Sequence, residues 1–288
     1  MNKMNRRLII AVLIGTMLTT LACTININVP TMETINTRTV TIQEPLPQAA
    51  TTAKVLLSIP SGTFNLAGGA SGLIEGTIQY NIKGWDPVIS NANGEFSIQQ
   101  GDITKVSRLP TQGMINNWSL KLSDEIPLDL SIQAGAYKGA LDLGGLRLQN
   151  LSIIDGASQS DVTFSQPNPI QMENFTYKSG ASEVDLKDLA NANFSQMSFE
   201  GGAGNYTFDL SGDLKHDAAL SIKAGISNIT LNLPSGRHVI VNNTGAISNI
   251  DTQGTWLVNG NTYEASGTGP TITVTIDVAV GNLTLARK

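Results

Sequence analysis

The stretch Leu130-Ser131-Ile132-Gln133-Ala134-Gly135-Ala136-Tyr137-Lys138-Gly139-Ala140-Leu141-Asp142-Leu143 decides the fold. It opens on an apolar-polar-apolar triplet, passes a Gly-Ala pair and closes on a second such triplet. The same order returns downstream at Gly156, Gly180, Gly202, Gly225 and Gly245, with separations of 21, 24, 22, 23 and 20 residues. The first triplets are Leu130-Ser131-Ile132, Leu151-Ser152-Ile153, Phe175-Thr176-Tyr177, Met197-Ser198-Phe199, Leu220-Ser221-Ile222 and Val239-Ile240-Val241. The second triplets are Leu141-Asp142-Leu143, Val162-Thr163-Phe164, Val184-Asp185-Leu186, Phe208-Asp209-Leu210 and Leu231-Asn232-Leu233. Side chains alternate across a strand, so each triplet turns two apolar residues inward and one polar residue outward. A unit this short cannot bury its apolar edge alone, but stacked units bury a continuous core. A β-sandwich of short antiparallel strands has no reason to repeat the glycine register.

The pattern predicts an all-β chain built as a right-handed parallel β-solenoid, a single-stranded β-helix of about 20–24 residues per coil. Each glycine is read as a turn residue, free to adopt a conformation closed to side chains. Ile132, Ile153, Tyr177, Phe199 and Ile222 should lie in one column. Ser131, Ser152, Thr176, Ser198 and Ser221 should form an outward hydroxyl stripe, and Asp142, Thr163, Asp185, Asp209 and Asn232 a second one. Asp185 and Asp209 would then stand about 5 Å apart. This stripe is weighed as a weak cation-binding or carbohydrate-facing row against a merely solvated face.

Working outward, Val278-Ala279-Val280 with Gly281 and Leu283-Thr284-Leu285 reads as a final copy. The stretch between Gly254 and Gly269, with Trp256 and Tyr263, reads as an inserted loop or hairpin. The solenoid is assigned to residues 128–286. Residues 53–127 carry a looser version of the pattern and are read as a β-rich N-terminal subdomain, with Trp85 and Trp118 covering an end or a seam. Residues 23–52 are rich in Thr, Asn, Gln and Pro, show no sustained period and are read as a flexible tether.

Residues 1–22 have the proportions of a signal peptide: Lys3, Arg6 and Arg7, then an apolar run too short for a comfortable membrane span. The run ends Thr20-Leu21-Ala22-Cys23, which resembles a bacterial lipobox. Cys23 is therefore the expected lipidation site, carrying acyl chains that hold an exported protein to the bacterial cell membrane or outer membrane. As the lone cysteine of 288 residues, Cys23 leaves no intramolecular disulfide and no Cys-cluster zinc site.

Charged residues are 14% of the chain, below the usual ~25%. The formal net charge of −5 and the scarcity of clustered Lys and Arg argue against nucleic acid as a partner. His216 and His238 fall in or near loops, without a third ligand at a definable spacing. No nucleophile elbow, P-loop or dinucleotide fingerprint is present. No catalytic residue, metal site or cofactor is expected.

Gly68-Gly69-Ala70-Ser71-Gly72-Leu73-Ile74-Glu75-Gly76-Thr77-Ile78-Gln79-Tyr80-Asn81, followed by Trp85, resembles the N-terminal part of bacterial toastrack lipoproteins. Asn117-Trp118-Ser119-Leu120 and Pro127-Leu128-Asp129-Leu130 resemble their junction, and the Gly-Ala units resemble the toastrack solenoid. That solenoid is related to the C-terminal domain of LiaF-type cell-wall-active antibiotic response proteins and to adhesin-like domains. The resemblance implies a non-catalytic envelope lipoprotein with an adhesin-like binding or structural surface. Its expected partners are the membrane, an envelope protein or polysaccharide, and a second copy through an exposed end. An envelope-stress component and a polysaccharide-acting β-helix enzyme are the alternatives.

Overall fold

The computed structural model describes residues 32–48, 51–92, 95–101 and 113–288. The signal peptide reading (1–22), Cys23, and residues 24–31 and 49–50 of the expected tether lie outside the described residues. The described chain is nearly all β and forms one 16-stranded sheet. Its repeating centre is five long strands: β7 (Leu128–Asp142), β8 (Leu148–Thr163), β9 (Asn174–Lys187), β10 (Gln196–Asp209) and β11 (Ala218–Leu233). They follow β1 (Thr34–Glu44), β2 (Ala53–Gly68), β3 (Ile74–Ile82), β4 (Val88–Ala92), β5 (Glu95–Gln99) and β6 (Asn116–Leu122). After them come β12 (Val239–Asn243), β13 (Asn249–Gln253), β14 (Leu257–Asn259), β15 (Thr262–Ala265) and β16 (Ile272–Arg287). Among the described residues the one helical piece is a 3-10 turn, Leu189–Ala192.

The central strands pair parallel in sequence order. Ile132 lies opposite Ile153, Ile153 opposite Tyr177, Tyr177 opposite Phe199 and Phe199 opposite Ile222. All five are fully buried, in the column that the repeat predicts.

The role expected for the glycines is corrected. β7 to β11 each run through their glycine without a break, and none of the five has a positive φ. Pairing skips the glycine instead: Ala134 faces Asp155 and Ala136 faces Ala157, with Gly135 and Gly156 between them. The inward parity switches there, since Ile132 and Ala134 are buried before Gly135, and Tyr137 and Leu141 after it. The strand therefore bends, and both halves point their apolar side chains into one space. Phe199 in the first half of β10 meets Tyr206 and Phe208 in the second, at ring-centroid distances of 4.8 and 5.0 Å.

What excludes a side chain at the bend is contact. A Cβ on Gly180 would stand 2.2 Å from the carbonyl oxygen of Gly156, and one on Gly202 would stand 2.4 Å from that of Gly180. The glycines form a column in which each backbone sits on the one before. Pro60 of β2 occupies the equivalent place at one end and Ala279 of β16 at the other.

At the start of the stack β2 pairs with β7 on one side. On the other side, its first half pairs with β5 and its second half with β6. β6 continues antiparallel to β3, and β3 to β1. The tether reading is corrected over Thr34–Glu44, an 11-residue strand with Ile42 buried and Val40 packed against the core. β-Branched Thr, Val and Ile dominate this stretch and suit a half-buried pleat. Trp118 is wholly buried in β6, with its ring edge-on to Phe64 at 5.8 Å; its indole N–H donates to Gln100 Oε1 at 3.1 Å.

The far end departs from sequence order. β16 pairs with β11 on one side and with β12 and β13 on the other. The last layer in sequence is thus inserted beside β11, and the Val239 unit lies beyond it. Val274-Thr275-Ile276 is the triplet beside Leu220-Ser221-Ile222, whereas Val278-Ala279-Val280 sits at the bend. Gly245 is not in the glycine column: it lies in the link from β12 to β13, where a Cβ would strike Val278 N at 2.3 Å. The expected insertion between Gly254 and Gly269 is the antiparallel hairpin β14–β15.

Candidate binding surface

Each central strand presents polar side chains outward from both halves, and the parallel register lines them up. On the first half, Ser131, Ser152, Thr176, Ser198, Ser221 and Thr275 stand opposite one another from β7 to β16. Beside this row, Asn150 Nδ2 donates to Asp129 Oδ1 at 2.6 Å and Asn174 Nδ2 donates to Asn150 Oδ1 at 2.9 Å. On its other side Lys178, Glu200, Lys223 and Asp277 alternate in charge, with Lys178 Nζ 3.0 Å from Glu200. Ser131, Ser152 and Thr176 of this row, with Asp129, Asn150 and Asn174 beside them, floor an open groove of about 510 Å³ that has Lys54 and Glu95 at its end.

The carboxylate stripe expected on the second half is corrected. Thr163 faces Asp142 on one side and Lys187 on the other, while Asp185 faces Asp161 and Thr207. Asp185 and Asp209 therefore do not oppose each other. Lys187 Nζ pairs with the Asp161 carboxylate, supplying the positive charge between layers. Next to it an asparagine ladder runs Asn205, Asn228, Asn282, each amide donating to the preceding carbonyl oxygen at 3.0 and 2.8 Å.

The strongest buried polar cluster, which sequence reasoning missed, lies inside the bend. Asp155 accepts hydrogen bonds from Tyr177 Oη at 2.7 Å and from Ser179 Oγ at 2.5 Å, with Ser182 Oγ at 3.4 Å. Tyr137 Oη lies 3.1 Å from Ser160 Oγ. Asp155 follows directly from the parity of β8, which turns it inward just before Gly156. Hydroxyl donors compensate its lost hydration, as a buried carboxylate without a basic neighbour requires.

Burial, and then the Asp155 carboxylate, push the Tyr137 hydroxyl up to about 12. Burial also drives Tyr177 well above its usual value, followed by the influence of Tyr137 and Asp155. The unfolded chain ionises these phenols near pH 10, and the fold keeps them neutral above that. The stability that Tyr137 contributes is complete below pH 10 and is lost as pH rises towards about 12, and the contribution of Tyr177 is likewise lost only above pH 10. For Tyr137 the loss is about 3 kcal/mol. Denaturation midpoints measured from neutral pH to pH 11 should fall steeply above pH 10, and Tyr137→Phe should flatten that fall. A midpoint independent of pH there would contradict the burial of these phenols.

The histidines serve separate loops. His216 Nε2 lies 3.0 Å from Asn193 Oδ1, while His238 Nε2 lies 3.0 Å from Glu264 and its Nδ1 3.2 Å from Thr271 Oγ1. Among the described residues no three His, Cys, Asp or Glu side chains gather in a metal-holding group. What the surface offers is a regular array of hydrogen-bonding groups at the interstrand spacing of about 4.8 Å.

The sequence profile of the N-terminal domain of toast_rack matches residues 31–174 and again 167–232. No curated protein matches the chain. A solved candidate cell adhesion protein from Clostridium sporogenes is 20% identical, with a TM-score of 0.45, covering 88% of this chain and 99% of its own. A candidate adhesin from Bacteroides fragilis is 9% identical at a TM-score of 0.35, covering 89% of this chain and 99% of its own. A candidate lipid binding protein from Parabacteroides distasonis is 9% identical at 0.39, covering 87% and 97%.

Proposed function

We propose, from the fact that this chain belongs to the toast_rack N-terminal domain family, that it is a non-catalytic, lipid-anchored envelope protein that binds an extended polysaccharide along its outer rows. The reading takes Cys23 as the lipidated end after removal of residues 1–22. It takes the strands from residue 53 onward as a right-handed solenoid of about 20–24 residues per coil. Residues 53–127 would be its N-terminal part and residues 128–286 its repeating body.

The observation that carries the reading is the unbroken row from Ser131 to Thr275 beside the Asp129–Asn150–Asn174 ladder. Hydroxyl and amide groups repeated at a fixed interval suit a polyhydroxylated chain that also repeats. Such contacts are individually weak, and a row of them on one rigid body adds effective concentration.

Two experiments test this. Full-length protein applied to immobilised envelope polysaccharide should be retained, and the double variant Ser152→Arg/Ser198→Arg should lower retention at least about tenfold. Thr207→Arg on the other half should leave it unchanged. Equal retention by all three forms would remove the row from the function. Separately, Cys23→Ala should move the protein from the membrane to the soluble fraction, and unchanged partitioning would remove the anchor.

A further inference from the structure

The two ends of the sheet expose apolar side chains on unpaired edges. At the start, β4 is an edge strand with all five residues exposed, Val88 at 66% and Ile89 at 44%. At the far end β14 is the edge strand, with Leu257 at 69% and Val258 at 53%. Both continue buried rows: Ile89 lies opposite Ile98, which lies opposite Leu57. Val258 lies opposite Tyr263, then Val241, then Val274. The core thus runs off each end onto a solvent-facing side chain. Among the described residues β4 pairs only with β5, and β14 only with β15. Edges of this kind are templates for strand addition unless something blunts them.

Strand direction says what fits. β4 is antiparallel to β5, and β5 is parallel to β2, so β4 runs against the long strands. β14 is antiparallel to β15, β15 is antiparallel to β12, and β12 is parallel to β16, so β14 runs with them. Placing one copy on the next by translation sets β14 antiparallel to β4, a favourable pairing. The same translation leaves β13 and β1 running parallel but one strand layer apart, so the contact is confined to β14 on β4. Any joining of like ends would leave the other apolar pair in water.

We infer that copies of this chain stack head to tail, β14 of one on β4 of the next. The contact is heterologous and does not close on itself, so it generates an open series. It stands apart from polysaccharide binding, which uses the sides of the stack.

Sedimentation of the full-length chain in mild detergent tests it. The weight-average mass of the wild type should rise steadily with concentration, past that of a dimer. Ile89→Lys disables only the start end and Val258→Lys only the far end, and both sites are exposed, so circular dichroism and melting should match the wild type. Each variant alone should remain monomeric. Mixed in equal amounts they should form dimers, about a twofold rise in mass, and nothing larger. A wild-type mass independent of concentration, self-association by either variant alone, or a mixture that stays monomeric would each overturn the inference. Polysaccharide retention is read on the same samples, so loss of one property leaves the other visible.

Discussion

Gly180→Ala is expected to destabilise the protein by about 3 kcal/mol or more, at the upper end of what overpacking costs. The added Cβ would lie 2.2 Å from the carbonyl oxygen of Gly156, which is backbone and has no rotamer to swing aside. Relief requires β9 to move away from β8 at the bend, against the hydrogen bonds that flank Gly180 on both sides. The column supplies its own graded series. Gly202→Ala, at 2.4 Å from the next carbonyl oxygen, should be nearly as costly, and Gly225→Ala, at 2.8 Å, clearly milder. Denaturant midpoints for the three variants should fall in that order. Equal midpoints for Gly180→Ala and the wild type would refute close backbone approach as the reason for the repeat.

The second large effect is expected at Phe199. Its ring lies 5.5 Å from Tyr177 in the neighbouring strand and reaches Tyr206 and Phe208 across the bend. It is fully buried, so Phe199→Ala removes a ring that joins two layers and both halves of one strand. A loss of about 3–5 kcal/mol is expected, and Phe199→Leu should recover most of it. If Phe199→Ala costs under about 1 kcal/mol in denaturant unfolding, the two halves do not share a core in solution.

The stacking was legible because alternation and spacing coincide in the sequence. Leu130, Leu151, Phe175, Met197 and Leu220 each begin a triplet, and the structure pairs them in register. The misplaced carboxylate row had a readable remedy. Leu141, Val162, Phe208 and Leu231 each follow the start of their first triplet by 11 residues. The same interval from Phe175 arrives at Leu186, not Val184. Period-two alternation fits both choices, so the local pattern alone cannot choose, while the constant interval does. The glycines were found for the wrong reason, because a residue type chosen for close approach looks the same in one dimension as one chosen for a positive φ.

Other features were not legible. The strand Thr34–Glu44 owes its place to β3, forty residues downstream, and its polar composition hides the half-buried face that Val40 and Ile42 supply. The insertion of β16 beside β11 is a choice between two similar apolar strands, and nothing in either sequence ranks them. Of the binding surface, the hydroxyl row was visible as the middle residue of each triplet. The Asp155 cluster was not, because a lone acid beside Gly156 reads as one more outward charge until the parity switch is known.

Placing the C-terminal strand within the stack fixes how such a molecule can change in size. A strand added after β16 could not lie beside it, since β16 already has neighbours on both flanks. Removal of that strand would leave β13 without a partner among the described strands and β12 with β15 alone. Growth or shortening is left to the middle, where β7 to β11 follow one another in chain order and one more turn between any two disturbs neither terminus. Homologues of differing reach should therefore vary in the number of Gly-Ala units and keep both extremities alike.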